Sequence, residues 1–309
     1  MKRLKLKVIS VILILSLVLC SLTSCGNSTG GENANLGDIL KNYKTYGMAA
    51  WWEILAVYNA GENPVNYENF NEICLSLVGN DYLNMAPYVI IANIAITKGT
   101  NEKRFDKFEE YKLELKKFLE NPYFKFTINE YIYAYYALKC SGTDFNQTPI
   151  FEYFLKEQNS DGGFGFLGDL SDVDTTAMMI PVLQLLYKND NPNIENDMDM
   201  SPLYNAVKFI ESQIHENGAF EFYGEENANS TACALSALIA FYKDDGSSIE
   251  MIKKASDGLA NFRLRGKAAY SCVINGRSDL LATAQAAIAL GDLKNKTSVW
   301  EKLYLDKNA

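Results

Sequence analysis

Six apolar helical stretches, with centres about 40–55 residues apart, constrain this chain more than any other feature. They are Met48–Gly61, Met85–Gly99, Ile128–Gly142, Val173–Asp190, Asn229–Gly246 and Leu280–Leu293. Apolar residues recur in them at spacings of three and four, and no long stretch alternates with period two. The chain therefore reads as all-α. Between and before these stretches lie six amphipathic segments, roughly Leu36–Tyr46, Tyr67–Leu77, Phe108–Leu119, Pro149–Glu157, Pro202–His215 and Ile249–Arg263. A helix apolar all round belongs inside, and one with a single apolar stripe belongs outside. Six inner and six outer helices in alternation imply an (α/α)6 toroid. An open solenoid of helix pairs is the other arrangement of such a repeat.

The N-terminus follows a different logic. Lys2, Arg3, Lys5 and Lys7 precede the apolar run Val8–Leu19, which is too short to span a bilayer as a stable helix. The order matches a secretory signal. "LTSC" (Leu22–Cys25) resembles the lipobox of bacterial lipoproteins. That resemblance implies a signal peptide at residues 1–24, lipid on Cys25 and an extracytoplasmic protein anchored to the membrane. The polar stretch up to residue 35 reads as a tether, and residues 36–309 as one domain of about 275 residues, enough for a large core. Removing residues 1–24 takes away four basic charges and no acidic one, so the formal charge of −9 becomes −13. Nucleic acid, which needs a basic surface, is not an expected partner.

Beyond Cys25 the cysteines are Cys74, Cys140, Cys233 and Cys272, which show no CxxC spacing, and His215 is the one histidine. A zinc site is hard to build from this inventory, and no cofactor is expected. Apolar helical surroundings favour buried free thiols, with one or two disulfides open as the alternative outside the cytoplasm. His215 reads as a helix C-terminal dipole partner.

"QNSDGGFGF" (Gln158–Phe166) followed by "DVDTTA" (Asp172–Ala177) resembles the repeat of squalene cyclases and protein prenyltransferases. The pattern returns as Gln213, Gly218, Phe220 and "STACALSAL", and more faintly as Phe262, Gly266, Tyr270 and "LATAQAAIAL". Thr176, Thr231 and Thr283 open the three inner helices. The resemblance implies the toroid, and it carries several functions, from cyclases to vitamin carriers and surface proteins without known activity. The protein prenyltransferases' zinc ligands are missing here, and so is the small β domain that vitamin carriers add.

In the cyclases an Asp-x-Asp-Asp motif supplies the proton donor. By that resemblance Asp174 falls on the donor, with Asp172 beside it and Thr175 in place of the third acid. The donor would need to be a neutral acid in an aromatic-lined apolar cavity. The competing reading is structural: Ser171 caps the helix, Asp174 reaches back, and both acids favour the positive end of the helix dipole. Pro181 should kink this helix and open a gap near the ring axis. Polysaccharide-cleaving enzymes also use (α/α)6 rings with carboxylates on inner helices. "WWE" (Trp51–Glu53), Glu130 and Tyr131 are the residues that would serve a glycan, although both glutamates also sit near helix starts, where solvent or the dipole accommodates them. The first expectation is a non-catalytic module that binds a small molecule, glycan or protein at one mouth of the ring. A terpenoid-type cyclase using Asp174 comes second and a glycan-active enzyme third.

Overall fold

The computed structural model describes residues 36–122, 126–166, 168–187, 199–242 and 249–306. The expected signal peptide, Cys25 and the expected tether lie outside the described residues. Among the described residues the protein is built from thirteen α-helices with two two-stranded hairpins. The helices are α1 (Leu36–Tyr46), α2 (Trp51–Asn59), α3 (Phe70–Ser76), α4 (Tyr82–Thr97), α5 (Phe108–Glu120), α6 (Ile128–Cys140) and α7 (Thr148–Glu157). They continue as α8 (Val173–Tyr187), α9 (Ser201–Ser212), α10 (Ala228–Tyr242), α11 (Ile249–Ala260), α12 (Leu280–Asn295) and α13 (Val299–Asp306). The hairpins are β1 (Phe220–Phe222) with β2 (Glu225–Asn227), and β3 (Tyr270–Ser271) with β4 (Ser278–Asp279), both antiparallel. None of the helices is long and apolar enough to cross a membrane.

Sequence pattern and burial agree helix by helix. In α4 every residue from Met85 to Ala95 is buried, so this helix has no solvent face. In α5 only Phe108, Tyr111, Leu115, Phe118 and Leu119 are buried, a single stripe at helical spacing. The charged face of α5 carries Lys107–Glu110 and Lys117–Glu114 pairs, which suit solvent. The even-numbered helices α2 to α12 form one connected set. Each packs on the next, and α12 packs back on α2. The odd-numbered helices α1 to α11 each pack against members of this set.

The junction of α12 with α2 is polar and buried. Asn59 Nδ2 donates to Asp292 Oδ1 at 2.7 Å and to the Ile288 carbonyl at 2.9 Å. Asn295 Nδ2 donates in turn to the Asn59 carbonyl at 2.7 Å. Gly291 leaves room for Asn59, since a Cβ there would fall 2.6 Å from Asn59 Nδ2.

The helix α13 is outside the expected set of twelve. It packs on α2, α6, α8 and α12. Lys302 Nζ donates to the carbonyls of Tyr58 and Asn59 at 3.1 Å, a second donor at the end of α2 beside the Gly61 amide and Asn295. Tyr58 Oη donates to Asp306 at 2.6 Å. Trp300, on the same helix, stacks on Tyr136 at 4.1 Å.

The repeated joint has one construction in three places. An N-cap residue accepts the amide three residues on: Asp172 from Thr175 at 2.7 Å, Asn227 from Ser230 at 2.8 Å, Asp279 from Ala282 at 2.7 Å. Each cap pairs in antiparallel fashion with an aromatic residue, Phe164, Phe220 or Tyr270. A threonine four residues after the cap locks that aromatic. Thr176, Thr231 and Thr283 accept the amides of Phe164, Phe220 and Tyr270 at 2.8, 3.0 and 2.9 Å. These caps correct the sequence reading at the start of α8. Ser171 does not cap α8: it donates to Asp161 and accepts from Asn159. Asn229 and Ser230 lie inside α10, and Asn227 does the capping.

Gln158 stitches its joint to the next outer helix by donating to the Gly162 and Pro202 carbonyls, both at 2.8 Å. Gln213 does not copy it, and bonds only its neighbour Ser212. Glycine is required at Gly218, where φ is +83° and a Cβ would lie 1.9 Å from the Lys254 carbonyl oxygen. His215 is not a dipole partner at a helix end. It lies beyond the end of α9 and meets Glu226 at 2.6 Å and Glu221 at 3.4 Å on the first hairpin. The four described cysteines are free thiols, with Cys74 and Cys140 buried and Cys233 and Cys272 half-buried.

Candidate functional site

The joint separates the two acids singled out in the sequence. Asp172 is saturated. Its Oδ1 accepts the Thr175 amide, and its Oδ2 accepts the Phe166 amide at 2.7 Å and the Thr175 hydroxyl at 3.0 Å. A carboxylate held by two amides and a hydroxyl serves as an architectural cap.

Asp174, two residues on, does not reach back to the helix start. The residue is partly exposed, but its Oδ1 is buried without a hydrogen-bond partner. Ser230 lies beside it on α10; its Oγ is buried too, interacts with the Asp174 carboxyl and has no other partner. Burial pushes the Asp174 carboxyl up to about 7. Ser230 opposes the shift and the Asp172 charge adds to it. Near neutral pH this group is divided between acid and carboxylate, so it can offer or accept a proton.

Helical spacing places Asp174 above an apolar cavity. Asp174, Ala177, Met178 and Pro181 recur at i, i+3, i+4 and i+7 and share one face of α8. Ala177, Met178 and Pro181 line a cavity of about 30 Å³, enough for one or two waters. Opposite them stand Cys233 and Ser236 of α10, Gln285 and Ile288 of α12, and Trp52 of α2. Trp300 of α13 completes the lining. The gap expected at Pro181 is therefore present and small.

An aromatic group adjoins this cavity. Trp51 and Trp52 stack at 4.2 Å, and both meet the Tyr133 ring edge-on, at 5.6 and 6.0 Å. Trp52 also meets Trp300 edge-on at 6.4 Å. Tyr133 Oη reaches Met178 Sδ at 3.4 Å, and the Asp174 charge contributes to raising the Tyr133 phenol above its ordinary range, behind the larger effect of burial. At the position of Asp174 in the next repeat, Asn229 donates to Gln285 at 2.7 Å. Tyr133, Ser230, Cys233 and Gln285 were not singled out from the sequence. The helical positions of Asp174 and the tryptophans locate them only once the helix neighbours are known.

The glycan candidates part company. Glu53 follows Trp52 by one residue and hence about 100° around α2, so it leaves the aromatic group. Its carboxyl accepts the Ala49 and Ala50 amides in a capping-box arrangement, with burial raising its pKa and the amides lowering it. It lines a separate groove, and Glu130 is not among the residues of that groove. Glu130 serves its own helix start, accepting from the Thr127 amide at 2.7 Å and hydroxyl at 2.9 Å. Tyr131 is fully buried and stacks on Phe118 at 4.3 Å, inside the core between α5 and α6. A shared pair of carboxylates flanking a sugar is not assembled. Among the described residues, no cluster of three His, Cys, Asp or Glu side chains could hold a metal ion. Comparison with protein-family models and with curated proteins finds no match to this chain.

Proposed function

We propose that this chain is an extracytoplasmic lipoprotein, anchored through Cys25, whose helices close into an (α/α)6 toroid that binds a small molecule at the mouth around Asp174. The toroid reading is supported by the alternation of inner and outer helices and by the packing of α12 on α2. Kinship with the cyclase and prenyltransferase superfamily rests on the three-fold joint. The binding reading rests on one observation above all: Asp174 Oδ1 and Ser230 Oγ are buried side by side, and beyond their contact with each other neither has a hydrogen-bond partner. Two such groups each cost stability unless something hydrogen-bonds them. A hydroxyl or amide of a ligand would satisfy both, with its apolar part on Trp51, Trp52 and Tyr133.

The 30 Å³ cavity is far below the roughly 300–1,000 Å³ of ordinary small-molecule pockets, so the ligand lies on the mouth and sends only a tip inside. Native mass spectrometry of the intact lipoprotein is the test. A copurifying small molecule that is lost from Asp174→Asn and Ser230→Ala is the expected result, and retention in both variants would overturn the site. A second reading, a cyclase with Asp174 as acid, is favoured by the carboxyl's rise to about 7. Conversion of a polyprenyl epoxide, abolished in Asp174→Asn, would put it first.

A further inference from the structure

The groove that Glu53 lines runs between α1 and α3 on one side and the 268–283 stretch on the other, and encloses about 760 Å³. Its described residues include Tyr43, Tyr46, Glu53, Glu72 and Leu280, and among the described residues that line it there is no Lys, Arg or His. Glu53 is 2 % exposed, and both backbone amides it accepts fall on Oε2. No cation of the lining offsets its charge. Tyr43 is 6 % exposed, and its Oη is buried without a hydrogen-bond partner. A buried carboxyl lacking a counter-ion and a buried phenol lacking a partner are each unfavourable as they stand. The outer part of the groove is different. Tyr46 and Leu280 are largely exposed and present an aromatic face and an aliphatic side chain.

We propose that this groove binds an organic cation, a primary ammonium or guanidinium on an aliphatic stem, with its head between Glu53 and Tyr43 Oη and its stem along Tyr46 and Leu280. The cation supplies the missing counter-charge and donates to the phenol oxygen. The exposed tyrosine ring adds a favourable face for the positive end of the ligand. A neutral sugar would leave the Glu53 charge without its counter-ion. The cation could be a free amine or the side chain of a peptide, and the two sources differ in whether flanking amides add to binding.

Calorimetry on the full-length protein in detergent micelles separates these cases. The probes are n-butylammonium, n-butylguanidinium, Nα-acetyl-lysine methylamide, n-butanol and methyl glucoside. The cations should bind at least about tenfold more tightly than n-butanol. A further gain of about tenfold for the lysine amide identifies a peptide side chain, and equal affinity identifies a free amine. Glu53→Gln keeps a capping-box acceptor, so it folds, and it should weaken cation binding at least about tenfold. Tyr43→Phe should weaken binding while raising the melting temperature of the free protein, because it removes an unpartnered buried hydroxyl. Equal binding of cation and butanol, preference for methyl glucoside, unchanged affinity in Glu53→Gln, or no binding of any probe would each overturn the proposal.

Discussion

Asn59 Nδ2 donates to Asp292 Oδ1 at 2.7 Å across 233 residues of sequence, tying the first inner helix to the last. Both side chains are fully buried. Asn59→Ala would remove one of the hydrogen bonds that hold the buried Asp292, beside those from Ser236 and the Val299 amide, and a partner of Asn295. We expect a loss of about 2–4 kcal/mol, read as a lower urea midpoint. Wild-type stability in this variant would mean that the α2–α12 contact is not needed to hold the chain together.

Asp292 and Asp174 give the protein an unusual response to pH. Burial raises each carboxyl from 3.8 to about 7 in the folded state. Between those values the folded chain holds protons that the unfolded chain has released, so stability from these groups is full at the acid end. It falls as pH rises through about 7 and levels off above. Melting temperatures compared at about pH 5 and about pH 8 should show the decline, and Asp174→Asn with Asp292→Asn should flatten it.

The threonine locks are open to an isosteric test. Thr231→Val keeps the volume but leaves the buried Phe220 amide without its acceptor. A loss of about 1–3 kcal/mol is expected, with similar losses for Thr176→Val and Thr283→Val. A neutral result at all three would reduce the repeated threonine to a packing residue.

Trp300 lines the cavity beside Pro181 and is 7 % exposed. Trp300→Ala should cost about 3–5 kcal/mol and enlarge an apolar space. Benzene should then raise the melting temperature of the variant and leave the wild type unmoved, since apolar cavities of sufficient size take up such molecules.

The helices were legible in the sequence because burial on all sides and burial on one side leave different periodicities. The limits of α1 coincide with the expected Leu36–Tyr46. Helix α13 was missed because Val299–Asp306 is short and follows a polar turn, so its pattern has too few periods to stand out. The joints were legible as repeats, but their caps were not. Capping depends on which residue first turns helical, and Asp172, Asn227 and Asp279 are identified by backbone geometry that Ser171 and Asn229 imitate in sequence. Asp174 was found through its motif. Its neighbours Ser230 and Tyr133 were not, because they come from other helices and no local pattern links them. The tryptophans and Glu53 are adjacent in sequence yet serve different surfaces, a split that follows from the helical rotation of one residue.

The three joints share a mount whose occupant differs. Two residues past each cap stand Asp174, Asn229 and Leu281: an acid, an amide and an aliphatic side chain on the same scaffold. Cap, aromatic and threonine supply the joint's own bonds, so none of those bonds depends on this position. The fold thus mounts side chains of three different chemistries in the same way, and exchanging one for another requires a single substitution rather than a new backbone.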